Sequence, residues 1–145
     1  MRLVGAPLSR EQALRSAERM LAFTRSPTPQ RIFLVVCEHE RAIGIASIQH
    51  IDTRRGTAEL GLMLLPQARE RGYAKEAFGG LAARAFEILP LDELWVEHST
   101  EHEAAERVVR GVGFALQSDP ASEARTGKRR WILKREGLSP STRSR

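Results

Sequence analysis

The most constraining feature of this chain is a segment in which an apolar run passes through a polar, glycine-containing turn directly into a helical pattern. Residues 62–65 are Leu-Met-Leu-Leu, residues 66–72 form the turn, and helix-favouring residues follow from Tyr73. The first N–H groups of a helix have no intrahelical partner, and the helix dipole adds partial positive charge at the same end. The segment therefore predicts a phosphate site, with Arg69 and Arg71 beside it.

This turn resembles the loop that holds the acetyl-CoA diphosphate in the GNAT acetyltransferase superfamily, written strand, Gln/Arg-x-x-Gly-x-Gly/Ala, helix. Two alignments are open. One begins at Arg69, and the other begins at Gln67 and places Glu70 at the first glycine position. We prefer the second, because only there do the flanking family residues fall in place, namely Leu62, Leu64, Pro66, Tyr73, Ala74, Glu76 and Ala77.

A second segment, residues 102–114, resembles the later family motif Asn-x-x-Ser/Ala-x-x-Val-x-x-x-Gly-Phe, with His102 in place of the Asn. The resemblance covers Leu8 to about Arg135 and looks nearest to the ribosomal-protein N-terminal acetyltransferases. It implies a single α/β domain whose mixed, mostly antiparallel central sheet is flanked by helices. It also implies acetyl-CoA as cosubstrate and a primary amine as acceptor.

The resemblance assigns a set of cofactor-binding residues. The backbone of Leu62 and Leu64 would hold the acetyl carbonyl and the pantetheine arm, and His102 would hydrogen-bond the cofactor as the family's Asn does. The remaining cofactor residues belong to the loop: Gln67, Arg69, Glu70, Arg71, Gly72, Tyr73 and Ala74.

Glu59 is the candidate base. It lies in the apolar run Ala-Glu-Leu-Gly-Leu at 58–62, where a carboxylate is costly to bury without a partner or a task. Related acetyltransferases carry a Glu at this place, and burial would raise its pKa towards a useful range. The alternative is an exposed residue paired with Arg54 or Arg55.

His98 and His102 are further catalytic candidates. His98 ends a predicted strand near the expected cleft and could replace Glu59 as base, and His102 could protonate the leaving thiolate. Family members often have a Tyr or a Ser for that last role, where this chain has Val109 and Ala105. We expect no metal site, because the two histidines lack a third ligand in the sequence.

Composition agrees with one ordinary domain. The 145 residues carry a net charge of +5, with much of the excess near the C-terminus. Without interleaved aromatics this charge does not predict nucleic-acid binding. No apolar run reaches the length of a membrane span or forms a signal peptide, so we expect a cytoplasmic protein. Cys37 lies in an apolar run and is predicted to be a buried strand thiol.

The pattern predicts strands at 31–38, 42–51, 57–65, 91–99, 114–117 and 130–134, and helices from Ser9, from the loop to about Leu89, and at 102–112. We expect an acetyltransferase domain at 1–136 and a disordered basic tail at 137–145. Family members normally have a further strand and helix before the segment that matches Leu8. Their apparent absence leaves 31–38 as a sheet edge and predicts a homodimer.

The sequence thus predicts an N-acetyltransferase that moves acetyl from acetyl-CoA to a small amine or a protein N-terminus by direct attack. Glu70, Ala105 and Val109 depart from the family pattern and keep a second interpretation open, a catalytically inactive CoA-binding sensor or assembly module. A third, RNA binding through the basic end, rests on charge alone.

Overall fold

The computed structural model of the chain describes residues 30–69 and 72–138, together with Glu11 and Arg15. Within these residues the elements follow in the order β1 (Ile32–Glu38), β2 (Arg41–Asp52), β3 (Thr57–Leu64), α1 (Pro66–Arg69), α2 (Tyr73–Ile88), β4 (Glu93–Ser99), α3 (Glu103–Val112), β5 (Ala115–Leu116), α4 (Pro120–Thr126) and β6 (Lys128–Lys134), with a final 3-10 turn at Arg135–Gly137.

The strands form one sheet in the order β1-β2-β3-β4-β6-β5. β3 and β4 are parallel, and the other neighbouring strands are antiparallel. α2 supplies the crossover that a parallel pair needs. The predicted α/β class and the mixed, mostly antiparallel sheet flanked by helices are confirmed.

One face of the sheet is covered by α2 and α3. Inward side chains alternate along the strands, as period-two burial requires, and they join the apolar sides of both helices in one core. Trp131 is the largest of the fully buried side chains, and the Phe78 ring on α2 lies 5.4 Å from the Phe114 ring. The two helices are therefore fixed to each other and to the sheet.

The C-terminus of α2 is held by Arg135, which follows β6. Its guanidinium donates to the carbonyl oxygens of Phe86, Leu89 and Leu91 and lies 5.0 Å from the centre of the Phe86 ring. The last carbonyls of a helix lack intrahelical partners, and a cation there also interacts well with the dipole. Arg135 thus fixes the helix whose other end begins the predicted phosphate site.

The opposite face carries a row of exposed apolar side chains. Register places Val35 of β1 beside Ile45 of β2, and Ile45 beside Met63 of β3. They are 66%, 43% and 49% exposed, respectively. Within the described residues β1 also forms one edge of the sheet, as predicted.

The observed strands β1 to β4 and the helices α2 and α3 agree with the predicted segments to within two residues at most ends. The helix predicted from Ser9 lies outside the described residues, apart from Glu11 and Arg15. The long polar connection before β6 contains a helix, α4, that was not predicted. Its signals were present: Asp119 accepts a capping bond from the Ser122 N–H at 2.7 Å, and Gly127 ends it at φ 69°.

Two expectations need correction. Cys37 is exposed rather than buried, because β1 alternates and only Ile32, Leu34 and Val36 face the core. Leu138, assigned to the polar tail, is buried in the core, so the packed part of the chain runs past Glu136.

Candidate functional site

The central feature of the site is the separation of the two parallel strands. β3 and β4 pair only at Thr57 with Glu93, Ala58 with Leu94, and Glu59 with Trp95, although both strands continue. Beyond that point β3 pairs only with β2 in the described residues, Leu62 with Ala46 and Leu64 with Gly44. Its edge towards β4 therefore offers free backbone groups to a ligand.

The polar turn lies where β3 ends. α1 is a single helical turn, and the Arg69 Nε–H donates to the Leu64 carbonyl at 3.0 Å, folding the loop back onto the strand. Gly72 has φ 74° and caps α2 without a side-chain hydrogen bond. Gln67 is exposed beside it. Glu70 and Arg71 lie outside the described residues, so both alignments of the loop stay predictions.

Tyr73 ties the start of α2 to the β1–β2 hairpin. Its hydroxyl donates to the carboxylate of Glu38, the last residue of β1. Its ring packs with Ala74 against a small apolar cluster of Ile43, Leu64 and Ala68. A hydrogen bond and an apolar cluster thus help to hold the helix end to the strand end.

Glu59 lies at the last paired position, on the face that α2 does not cover. Its side chain is 27% exposed and its Oε2 lies 2.9 Å from Nδ1 of His50, so it pairs with neither Arg54 nor Arg55. The His50 ring stacks on Trp95 at 5.9 Å. His50 was not among the predicted site residues. A cavity of about 420 Å³ next to them is lined by His50 and Trp95 among other residues.

Two hydrogen bonds determine which ring nitrogen of His98 carries the proton. The Trp131 indole N–H donates to its Nε2 at 2.8 Å, and Nδ1 lies 2.7 Å from the Ser99 carbonyl, which can only accept. The neutral ring therefore carries its proton on Nδ1. Since Nε2 already accepts a bond, His98 has no free lone pair with which to take a proton from a substrate.

His102 caps α3. Its Nδ1 accepts from the Ala105 N–H at 3.3 Å, so a neutral ring carries its proton on Nε2. Burial, and then the charges of His98 and Arg69, lower the pKa of His102 from its ordinary 6.5. The side chain is therefore a neutral N–H donor near neutral pH, as the Asn that it replaces would be.

A charge network holds α3 and α4 to β6. Arg129 donates to Glu106 at 3.0 Å and to Glu123 at 2.8 Å, and Arg110 also donates to Glu106 at 3.0 Å. Hydrogen bonding from Arg110, with the charge of Arg129, lowers the pKa of Glu106. The hydrogen bond from Arg129 lowers the pKa of Glu123. The network fixes the helix that His102 begins.

The described residues include no group of three or more His, Cys, Asp or Glu arranged to hold a metal ion. No helix in that part of the chain combines the length and apolar character needed to cross a membrane.

A family model, the acetyltransferase (GNAT) domain, matches residues 1–115 of the chain. The chain belongs to the GNAT acetyltransferases. Solved structures of this kind share its fold. The N-acetyltransferase PseH of Campylobacter jejuni, in complex with acetyl coenzyme A, is 18% identical with a TM-score of 0.69, over 86% of this chain and 79% of that one.

Two further structures agree. A chimera of spermidine N-acetyltransferase SpeG from Vibrio cholerae and hSSAT is 16% identical, with a TM-score of 0.73 over 93% of this chain and 84% of that one. A protein provisionally assigned as a ribosomal-protein-serine acetyltransferase, from Vibrio cholerae, is 18% identical, with a TM-score of 0.71 over 87% and 75% of the two chains. At these identities the likeness establishes the GNAT fold.

The charge network makes the stability of the fold depend on pH, and the direction of this dependence follows from the lowered pKa values of Glu106 and Glu123. Both carboxyl pKa values are lower in the folded state than the ordinary 4.5, so the stabilisation is complete above that value and is lost as the pH falls through the lowered values. We expect the difference in melting temperature between wild type and Arg129→Gln to be largest at neutral pH and to shrink below about pH 4.

Calorimetric melting across this pH range measures the difference. Arg125→Gln is the matched control, because it removes the same charge from an exposed position on α4. If wild type and Arg129→Gln differ in melting temperature by the same amount in acid as at neutral pH, Arg129 does not stabilise the fold through the ionised carboxylates of Glu106 and Glu123.

Proposed function

We propose that this GNAT protein transfers acetyl from acetyl-CoA to a primary amine by direct attack in a ternary complex. The observation that carries the proposal is the separation of β3 and β4 beyond Glu59 and Trp95, next to the start of α2, which Gly72 caps without a side-chain hydrogen bond. The separation leaves room and free backbone groups for an extended arm, and the helix start suits its phosphates. PseH, which shares the fold, was solved with acetyl coenzyme A.

Residues of this chain fit both the diphosphate of acetyl-CoA and its pantetheine arm with the acetyl group. The predicted loop at 67–74 includes Tyr73 and Ala74, the first residues of α2, and the amide groups and dipole at a helix start favour a diphosphate. The side chains of Leu62 and Leu64 pack in the apolar clusters. Because the Leu64 carbonyl already accepts from Arg69, the backbone groups proposed for the pantetheine arm and the acetyl oxygen are those of Leu62 and the N–H of Leu64. Acetyl-CoA supplies an activated acyl group whose thiol leaves readily.

Glu59 is proposed as the carboxylate that removes the proton from the acceptor, directly or through a neighbour. It stands at the point where the strands separate and is partly withdrawn from water. His102, held neutral with Nε2–H free of the cap, is proposed as a donor to the cofactor. His98 is proposed to have a supporting role and not that of base, because both its ring nitrogens already make hydrogen bonds.

One observation favours a second candidate, an inactive CoA-binding module. The engaged His98, together with Ala105 and Val109 on α3, leaves the thiolate without an evident proton donor other than His102. The two functions differ in turnover and not in CoA binding.

The first test is therefore binding and turnover together. Acetyl-CoA at about a hundred times its Kd should stabilise the fold by ~2.7 kcal/mol, which raises Tm by about 5 to 10 °C for a chain of this size. The same protein should release CoA thiol in the presence of a primary amine, and not with the matching tertiary amine. Unchanged melting would contradict CoA binding, and a shift without thiol release for any amine would favour the inactive module.

The contact between Tyr73 and Glu38 gives a second test, because it holds the start of α2 where the diphosphate is proposed to bind. Tyr73→Phe and Glu38→Gln should each weaken CoA binding about fivefold, since one hydrogen bond is worth ~1 kcal/mol. The double variant should be no weaker than the single ones, because both remove the same contact. Isothermal calorimetry with CoA measures all three.

Glu40→Gln is the control for these variants, since Glu40 is exposed in the same hairpin. If Tyr73→Phe and Glu38→Gln lower Tm but leave the Kd for CoA unchanged, the contact is structural only.

We also propose a homodimer. β1 is an edge strand of the described sheet, and the exposed row of Val35, Ile45 and Met63 lies on the face next to that edge. An open edge with apolar neighbours favours pairing with another chain. Light scattering should give twice the 16.2 kDa chain mass at high micromolar concentration, and Val35→Lys should give the monomer. The control Glu40→Lys should stay dimeric, and a monomeric wild type would exclude the dimer.

A further inference from the structure

His50 has a backbone conformation that calls for an explanation. It lies near the end of β2, where the pairing with β3 shifts register between Gln49 and Asp52, and its φ is 49°. A residue other than glycine with positive φ is uncommon and costs free energy, although His tolerates it better than most. The bulge and the left-handed turn aim its side chain at Glu59 rather than along the strand.

The hydrogen bond to Glu59 sets the protonation of the ring. Nδ1 of His50 lies 2.9 Å from Oε2 of Glu59, and an ionised carboxylate can only accept, so Nδ1 carries the proton. Nε2 then carries a free lone pair, and no other described residue donates a hydrogen bond to it. The side chain is 61% exposed, so this nitrogen is open to a ligand.

Trp95 fixes the ring from a second direction. The His50 and Trp95 rings stack at 5.9 Å with 22° between their planes. Trp95 is in turn held by Arg130, whose guanidinium carbon lies 4.1 Å from its ring centre. The imidazole is thus positioned by one hydrogen bond and one stacking contact, as the base of a nucleophile–base–carboxylate arrangement is.

His50 also lines a cavity and contacts Glu59, the residue at which the strands begin to separate. It lines the cavity of about 420 Å³ on the uncovered face, together with Asp52, Glu93 and Trp95. Glu59, on its other side, is the last residue of β3 that pairs with β4. An amine held in this cavity could therefore contact His50.

We propose that His50 is the residue that takes the proton from the acceptor ammonium, and that Glu59 is a positioning residue that orients and stabilises the imidazole. This inference rests on the proposed acetyl transfer and changes which group contacts the acceptor.

The proton and electron balance is simple. The acceptor ammonium gives one proton to Nε2 of His50 while Nδ1–H stays bonded to Glu59. The nitrogen lone pair forms the C–N bond to the acetyl carbon, the C–S bond breaks, and its electron pair stays on sulfur. A second proton leaves the nitrogen and reaches the thiolate through solvent. The imidazolium then returns its proton to solvent, so an ammonium and a thioester give an amide, a thiol and one proton.

Three variants test the arrangement in the full-length protein. His50→Asn keeps a residue that accepts positive φ but cannot take a proton, so kcat/KM with the best primary amine should fall about 100-fold, as for loss of a general base. Glu59→Gln should also slow turnover. The double variant should be no slower than His50→Asn, because the pair acts as a unit. The Kd for CoA should stay unchanged in all three.

A fourth variant distinguishes chemistry from structure. His50→Gly suits φ 49° and leaves space for a free ring, so added imidazole should restore much of its activity. His39→Asn is the matched control, since His39 also has positive φ, 55°, and is exposed in the β1–β2 turn. It should match wild type in rate and Tm.

The outcomes separate the two proposals. A slow Glu59→Gln with His50→Asn at the wild-type rate would overturn the role of His50 and leave Glu59 as the direct base. His50→Gly that imidazole does not rescue, in a protein that still binds CoA and melts like wild type, would also overturn it. A wild type that neither binds CoA nor acetylates any amine would instead reject the proposed function, and with it this inference.

Discussion

The structure depends on the short pairing between β3 and β4. Three residue pairs join the strands, and among the described residues each strand then continues with a partner only on its other side, β2 for β3 and β6 for β4. Because each strand keeps one complete ladder, the separation costs only the bonds between the two strands. It converts the inner edges of two regular strands into backbone donors and acceptors that a ligand can use, without any loop having to supply them.

A sheet that opens in its middle needs other contacts to hold its halves. The common core beneath α2 and α3 does this on one face, with Phe78 of α2 against Phe114 beyond α3. Arg135 then joins the end of β6 to the end of α2, and Arg129 joins the start of β6 to α3 and α4. The hydrophobic contacts give most of the stability, while these two arginines fix the directions of the helices whose first turns face the site.

Local patterns predicted the fold well, because the strand–turn–helix segment and the 102–114 segment each carry their signal in adjacent residues. Cys37 was misplaced because an apolar run does not reveal whether a strand is covered on one face or both. α4 was missed although Asp119 and Gly127 mark its ends. Glu59 was proposed as the base partly from its apolar neighbours, and its contact with His50 was not predicted. His50 precedes it by nine residues and reaches it only through a bulge and a positive φ, which no periodicity indicates.

The three histidines near the site show why residue type alone does not assign a base. The Trp131 indole N–H donates a hydrogen bond to His98, the Ala105 N–H donates one to His102 at the start of α3, and His50 donates one to Glu59. A neutral imidazole has one donor and one acceptor nitrogen, so whichever nitrogen the protein engages decides what the other can do. In His98 the acceptor nitrogen is used, and in His102 the remaining nitrogen is a donor. In His50 the protein engages the donor and leaves the acceptor free, and this is the state that a general base requires.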